Sequence, residues 1–420
     1  MINSIKSEMT NYFIKSFNAE NFRQFSKISV KFNEKFNFLT GPNGCGKSSI
    51  LTGIHHCIYN DYQSSRLSKE STFFLEAVMD SAVVFFGMGK GSFKENNSYR
   101  RSNIENWKRP NIALNSEQDS LQIFLPYENK GKLVPLFIGT KRFIDYVEIS
   151  GAKREESQQQ AIEEYQRKNL DSKSSNVKQW FINRYFYIDK EWAIEERINW
   201  DILLDNLTRI APTGSDFQYL RTERDLEPIF QLYGQECYLE ELSAGFQAIF
   251  SIIANIIEWV EKINPQGSRN IQQATGTVLI DELDLHLHPE WQFNIRDGLE
   301  ALFPNLQFIV TTHSPHLLAS AKEGEVIIMS RETGKTEYHF EPSNKRYSGW
   351  NTDQILEDVM GVKSLKNKDY ERLIDEAFDA YESKDKTKLL SVMEQLKSIT
   401  HSDDTIVQVL EMKMASLELQ

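Results

Sequence analysis

The chain has 420 residues, 40% hydrophobic and 26% charged, enough to bury a large core and, on length, to form two or three domains. A formal net charge of −12 excludes a general polyanion binder, so any nucleic-acid contact has to come from a local basic patch or from a partner. Three separated cysteines, Cys45, Cys57 and Cys237, exclude a zinc frame or disulfide scaffold and point to a reducing compartment. The opening MINSIKSEMTNYFIK has no apolar signal-peptide core, and the longest apolar run, Phe246 to Val260, is broken by Gln247, Asn255 and Glu258. The expectation is a cytoplasmic protein with no membrane partner.

Residues 11–39 read as short strands: YFIKSF, ISVKF and KFNFL. The last runs into Gly41-Pro-Asn-Gly-Cys-Gly-Lys-Ser48, which fits GxxxxGK[ST] without mismatch, and a helix is expected from Ser49 to Asn60. In that strand–loop–helix setting the glycines let backbone N–H groups curl around phosphates, Lys47 reaches the β and γ phosphates, and Ser48 ligates Mg²⁺. Phe73 to Pro126 predicts antiparallel strands of a first lobe, with a hairpin turn at Gly87–Gly91. The loop from Lys90 to Pro110 gathers Lys90, Lys94, Arg100, Arg101, Lys108 and Arg109, with Phe93, Tyr99 and Trp107 among them. It suits phosphate contact with base stacking, or an ordinary solvated hairpin. Ala152 to about Tyr233 is charged and helical, too short for a coiled-coil arm, and predicts a small helical insertion.

Glu241-Leu-Ser-Ala-Gly-Phe246 then leads into Phe246, Phe250, Ile253 and Ile257 at helical spacing, with Ser243 as the expected N-cap. It reads either as a capped core helix or as a helix N-terminus offered to a phosphate. The stretch Thr277 to Pro289, TVLIDELDLHLHP, is a short buried strand with two carboxylates, Asp281 and Glu282, at its C-terminal tip. Alone it could be a core strand entering an acidic turn. Paired with the upstream phosphate loop it has the pattern in which the Asp holds Mg²⁺ and the Glu polarises the attacking water. His286 and His288 have no further Cys or His ligand close in sequence, which argues against a metal site. A helix is expected over Pro289–Leu302, then a second buried strand, Gln307–Thr312, ending at His313-Ser-Pro315. Closing strands follow at Val326–Met329 and Glu337–Phe340. From Gly349 on the chain reads as acidic amphipathic helices, either a packing appendage or a partner-binding surface.

Assembled, these residues resemble the ABC-type ATPases of the SMC/RecF branch over most of the chain. FNAENFRQFSKISVKF with FLTGPNGCGKSSIL resembles that branch's first lobe. LIDELDLHLHPEWQ, FPNLQFIVTTHSPHLL and the tail from GWNTDQILEDVMGV are similar to the PtuA-type ATPase subunits of Septu anti-phage systems, which are paired with an HNH nuclease. The resemblance implies an α/β fold: a P-loop ABC-type ATPase head with a largely parallel core sheet, an antiparallel β lobe, a short helical insertion and a C-terminal helical tail. The expected divisions are lobe I at 1–150, the insertion at 151–233, lobe II at 234–345 and the tail at 346–420. ATP and Mg²⁺ are the implied cofactors, and the implied reaction is ATP hydrolysis, the chain having no nuclease signature of its own. The implied nucleotide-binding residues are Arg23, Gly41, Asn43, Gly44, Gly46, Lys47, Ser48 and Ser49, with Ser243 and Gly245 reaching the nucleotide of a facing subunit. Ser48 and Asp281 would hold the metal; Glu282, His313 and Lys47 would be catalytic, His313 as the γ-phosphate switch. The signature departs from LSGGQ at Ala244 and Phe246, and the family's Q-loop glutamine falls either at Gln63 or near Arg142. The implied partners are a second copy, in a homodimer or larger even-numbered homo-oligomer, a separate nuclease, and nucleic acid through that nuclease or the Lys90–Arg109 loop. The alternative reading is a DNA-repair or recombination ATPase that grips DNA directly, which predicts a basic groove. A transporter ATPase is disfavoured by the tail and the SMC-like first lobe.

Overall fold

The computed structural model describes residues 12–58, 67–79, 82–94, 104–112, 121–124, 135–167, 176–263, 268–332, 334–362, 367–401 and 403–418. The chain divides into two compact units, Met1–Ile355 and Leu356–Gln420.

In the first unit, β1 (Tyr12–Phe22) and β2 (Phe25–Lys31) pair as an antiparallel hairpin, and β3 (Phe36–Thr40) leaves it for a second sheet. Patterning explains the split. β2 buries Ile28 and Val30 while Lys27 and Lys31 face water, as a one-faced strand does, whereas all of β3 is buried. Next come α1 (Lys47–Ile58), then β4 (Thr72–Met79) and β5 (Ala82–Met88), which extend the first sheet antiparallel. The following strand, β6 (Leu121–Phe124), pairs with β5 in parallel, where the sequence suggested antiparallel. A parallel partner has to start where β5 starts, and the long connection between them allows that crossing. β7 (Leu136–Ile138) then joins the second sheet.

The expected insertion holds α2 (Gln158–Arg167), α3 (Val177–Tyr187) and α4 (Ile194–Ile210), and adds an unanticipated three-stranded antiparallel sheet of β8 (Gln218–Thr222), β9 (Pro228–Leu232) and β10 (Gln235–Tyr238). The readable signal for it was Tyr233-Gly234. Both residues have positive φ, 49° and 75°, as a tight two-residue hairpin turn demands. α5 (Ala244–Ile263) carries the core of this region. By length and composition it would reach across a bilayer, contrary to the sequence reading, but it is buried inside the fold. Its Glu261 is held by Arg184 (Nε 2.7 Å), Asn199 (3.0 Å) and Trp180 (3.3 Å). Removing one partner of so buried a pair costs about 3–5 kcal/mol.

The chain then alternates β11 (Gly276–Ile280), α6 (Pro289–Leu302), β12 (Leu306–Thr311), α7 (Pro315–Ser320) and β13 (Val326–Ile328), before β14 (Glu337–Phe340) returns to the first sheet and α8 (Thr352–Gln354) ends the unit. The first sheet has the order β14-β2-β1-β4-β5-β6; the second, all parallel, has β13-β3-β12-β11-β7. Gln307 ties the two together: its amide accepts from Ile14 N–H and Thr277 Oγ1 and donates to the Ile14 and Asn33 carbonyls.

The second unit has a core of its own. α9 (Lys368–Glu382), α10 (Lys386–Ile399) and α11 (Thr405–Glu418) pack Leu373, Ala377, Leu389, Met393, Leu396 and Leu410 together. Tyr370 Oη donates to Asp404 (2.7 Å), which fixes the start of α11 against α9.

Candidate active site

The three central strands of the parallel sheet are β3, β12 and β11, and they end side by side. Each runs into one part of the predicted set: the glycine loop after Thr40, Thr312–His313 after Thr311, and Asp281–Glu282 after Ile280. The C-terminal edge of a parallel sheet is where such folds bind ligands.

The glycine loop is shaped by close approach. Gly41 has φ 137°, and a Cβ there would lie 2.0 Å from the Met329 carbonyl oxygen, so no other residue lets the chain leave β3 this way. Lys47 is 6% exposed; its ammonium donates to the carbonyls of Gly41 (2.8 Å) and Pro42 (3.2 Å), bent back over the loop. Burial lowers its pKa, against the opposing pull of Cys45 and then Asp281. Asn43 and Gly44 are exposed at the loop's tip. Arg331 Nη1 donates to Gly44 O (3.4 Å), and a cavity of about 410 Å³ opens there between the loop, Phe25 and the Arg331–Tyr338 turn. Ser49 is buried and accepts from Arg23 Nη1 (3.1 Å), so the structure brings Arg23 to the first turn of α1. Arg23 itself has φ 53°, and burial lowers its pKa.

Ser48 Oγ donates to Asp281 Oδ1 (3.0 Å), and Thr311 Oγ1 donates to the same oxygen (2.7 Å). The two expected metal ligands are therefore adjacent, and they are hard oxygens of the kind Mg²⁺ takes. Among the described residues no group of three or more His, Cys, Asp or Glu is placed to hold a metal. A Ser–Asp pair completed by phosphate and water needs none.

Glu282 stands in a left-handed conformation, φ 52°, which a side chain adopts at a cost of about 1–2 kcal/mol. Three bonds hold it there: its N–H donates to Thr311 Oγ1 (2.7 Å), and its carbonyl accepts from Leu285 N–H (3.0 Å) and Arg142 Nη1 (3.2 Å). Arg142 also donates to the Asp281 carbonyl and, through Nε, to Gly139 O (2.9 Å). It is 1% exposed, and burial pushes its pKa down to about 10 against the attraction of Asp281, Asp284 and Glu282. His313 projects from the tip of β12. Its N–H donates to Asp284 Oδ1 (3.2 Å), which also accepts from Thr312 Oγ1 (2.7 Å). Desolvation, with Lys47 adding to it, lowers the imidazole below its ordinary pKa.

The signature residues Ser243 and Gly245 make no side-chain hydrogen bond to this cluster among the described residues. Ser243 is exposed, directly before α5, and its hydroxyl makes no hydrogen bond among the described residues, so the expected N-cap bond is not there. The helix starts instead through Gln247, whose N–H donates to Ser243 O (3.0 Å) and whose amide group donates to the carbonyls of Glu240 (2.9 Å) and Leu242 (2.8 Å). Gly245 is a packing glycine: a Cβ would meet Trp291 Cζ3 at 2.4 Å and His286 O at 3.0 Å. The two histidines are structural. His286 packs on Phe143 with ring centroids 4.8 Å apart, and His288 Nδ1 accepts from Glu290 N–H (3.4 Å) to cap α6.

Sequence reasoning named only the neighbourhood of Arg142 and missed Thr311 and the side chain of Gln247. A lone Arg after a three-residue strand, or a Thr inside a buried one, has no spacing pattern to reveal it. Gln63, Arg100 and Arg101 lie outside the described residues.

A family model described as "AAA domain, putative AbiEii toxin, Type IV TA system" matches residues 36–319. "Septu protein PtuA" of Bacillus thuringiensis is 26% identical over 418 residues, covering 96% of this chain and 98% of that protein. "Retron Ec83 probable ATPase" of Escherichia coli is 35% identical over 175 residues, covering 40% of this chain and 31% of that protein. Among solved structures, an Smc head domain with an extended coiled coil bound to the C-terminal domain of ScpA, from Pyrococcus furiosus, has a TM-score of 0.41 at 14% identity over 75% of this chain and 93% of that one.

Proposed function

The chain belongs to this AAA-domain family, as an ABC-type ATPase of the SMC/RecF branch, and we propose that it is the ATP-hydrolysing subunit of an anti-phage defence complex whose nucleotide state controls a separate nuclease. The observation that carries the ATPase reading is the convergence of Lys47, Ser48, Asp281, Glu282 and His313 at three neighbouring strand tips. The near full-length likeness to the Septu protein supports the defence setting; the HNH type of the nuclease partner comes from the sequence resemblance alone.

In this reading the N–H groups of 41–48 and the Lys47 ammonium take the phosphates, Lys47 exchanging its two loop carbonyls for phosphate oxygens. Ser48 and Asp281 would hold Mg²⁺, which would supply charge neutralisation for the phosphates. Glu282 accepts the proton of the attacking water, and a His313 ring N–H donates to the γ-phosphate. Arg23 and the cavity by Arg331 lie on the side for the rest of the nucleotide. Ser243 and Gly245 meet the γ-phosphate of a second copy, so ATP lies between paired subunits.

Phosphate release and nucleotide binding test this. Lys47→Ala should weaken ATP binding at least about tenfold, since a charge-assisted bond to phosphate is worth about 1.5–3 kcal/mol. The chain purified with its native operon neighbours should bring down a nuclease whose activity changes with ATP. Unchanged ATP affinity in Lys47→Ala removes the phosphate-loop assignment, and a native complex without nuclease removes the gating role.

One observation favours a second reading, direct nucleic-acid contact. A cavity of about 670 Å³ on the outer face of the first sheet is lined by Lys27, Lys90, Lys108 and Arg109, with Phe74 and Ile28 beside them. Glu20 is its one acidic lining residue, 3.7 Å from Lys90. In a chain of net charge −12 this is a local cationic pocket. If it takes phosphates, Lys108→Glu with Arg109→Glu should reduce the log–log salt slope of oligonucleotide binding by about two units. Absence of salt-sensitive binding by the wild type would leave the pocket a solvated surface.

A further inference from the structure

We infer that Gln247 and Arg142 form a positioning relay that ties the signature turn to the general base of the same chain. The inference rests on the paired-subunit reading for its purpose, but its parts are bonds within one chain.

The relay has two joints. At the first, the Gln247 side chain is 8% exposed and spans two segments that no regular secondary structure connects. Its Oε1 accepts from Ile144 N–H (3.0 Å), while its Nε2 donates to Glu240 O and Leu242 O. The orientation of the amide is unambiguous, because one segment offers a donor and the other two acceptors. The turn that presents Ser243 is thus fastened to the strand exit 142–144. At the second joint, two residues away, Arg142 grips the carbonyls of Asp281 and Glu282. A guanidinium is a rigid planar fork, so displacing its backbone displaces both carbonyls together. Phe143, between the joints, packs on His286 in the turn after Glu282, so the same exit touches that turn twice.

The end of the relay is a strained residue. Glu282 is left-handed with no glycine to relieve it, and besides the Leu285 N–H of its own turn, the side chains of Thr311 and Arg142 hold it. Thr311 belongs to the rigid sheet. Arg142 does not: it sits on a stretch without regular secondary structure, between β7 and the insertion. Of the two side chains bonded to the general base's backbone, Arg142 is the one carried outside the sheet, on the segment that Gln247 also holds. When a facing subunit's nucleotide engages Ser243, the turn 240–243 is pressed into place, and Gln247 transmits that to Ile144 and Arg142. A misplaced signature turn leaves Glu282 less well aimed. Arg142 and Gln247 are positioning residues, since neither touches the reacting atoms.

The test is a double-mutant cycle in the full chain with its partner present, using Gln247→Leu and Arg142→Met, with Arg142→Lys as the conservative variant. ATP affinity, ATP-induced assembly, kcat and thermal stability are measured for each. Arg142→Met should bind ATP within about twofold of wild type and lose at least about tenfold in kcat, the signature of an interaction that matters in the transition state. Arg142→Lys should recover part of kcat by donating to one carbonyl. Gln247→Leu should lower kcat without changing ATP affinity, and the double variant should be no slower than the slower single one. Effects that multiply, or a wild-type kcat in either single variant, would overturn the relay. A loss in kcat that tracks thermal stability and is not rescued by Arg142→Lys would likewise make these residues structural supports only. If wild-type turnover is independent of enzyme concentration and the protein stays monomeric with ATP, the paired-subunit reading fails and the relay's purpose fails with it. If the wild type pairs and the cycle is multiplicative, the relay alone fails.

Discussion

His313 shows how far one residue's surroundings can set its chemistry. The tip of β12 places its N–H on Asp284 and its ring in the field of Lys47, and desolvation joins that field in disfavouring the imidazolium. A neutral histidine donates to a γ-phosphate through one ring N–H, and burial together with Lys47 shifts this imidazole toward that neutral form. The sign follows. The folded state binds the proton less readily than the unfolded chain, so no penalty exists above the unfolded pKa of about 6.5, and stability is lost as pH falls below it. The acid limb of the kcat/KM profile that disappears in His313→Ala should accordingly lie below about pH 6.5, since kcat/KM reports the nucleotide-free protein. A limb at or above that value would mean the imidazole is not tuned as its surroundings require. Lys47 is tuned by the same means, and its two carbonyl bonds keep a charge ready in a loop that would otherwise have to bury it bare.

At the scale of elements, the sequence was most readable where spacing and local context agree. The phosphate loop after Leu39, the apolar run ending at Asp281–Glu282 and the helix from Pro289 to Leu302 all carry their signals in adjacent residues, and all form as expected. What depends on long-range pairing was not readable. β6 enters in parallel because of a crossing that no local pattern encodes, and β8–β10 are short and polar enough to pass for the end of a helical region. The Ser243 cap failed for a related reason: a side chain four residues on, Gln247, takes the carbonyls and sets the turn, leaving the serine facing outward. The second unit, with its own core of Leu373, Ala377, Leu389, Leu396 and Leu410, leads to a prediction at this scale. Since none of the strand-tip residues belongs to it, truncation after Ile355 should leave ATP affinity within about threefold, because every residue of the proposed nucleotide site lies in the first unit. The same truncation should abolish capture of the nuclease or the higher assembly, measured by co-purification and light scattering. Loss of ATP binding together with folding would show the unit to be part of the head's own stability.

At the scale of the whole molecule, the proposed pairing makes this site one half of a shared one. Lys47, Ser48, Asp281, Glu282 and His313 gather at one sheet edge, while Ser243 is exposed before α5 and Gly245 packs on Trp291 and His286. A helix N-terminus of this kind presents N–H groups to an anion, and in the proposed pairing that anion is the nucleotide of the facing subunit. A second copy supplying the missing half accounts for both facts, with ATP as the joint and hydrolysis as its release. The decisive substitution is Glu282→Gln, which keeps size and hydrogen bonding but removes the carboxylate that activates water. Light scattering of that variant with saturating ATP and Mg²⁺ should show a dimer or larger even-numbered assembly that is monomeric without nucleotide, and adding Ser243→Arg should return it to monomer with ATP still bound. A Glu282→Gln protein that binds ATP and remains monomeric would contradict the account.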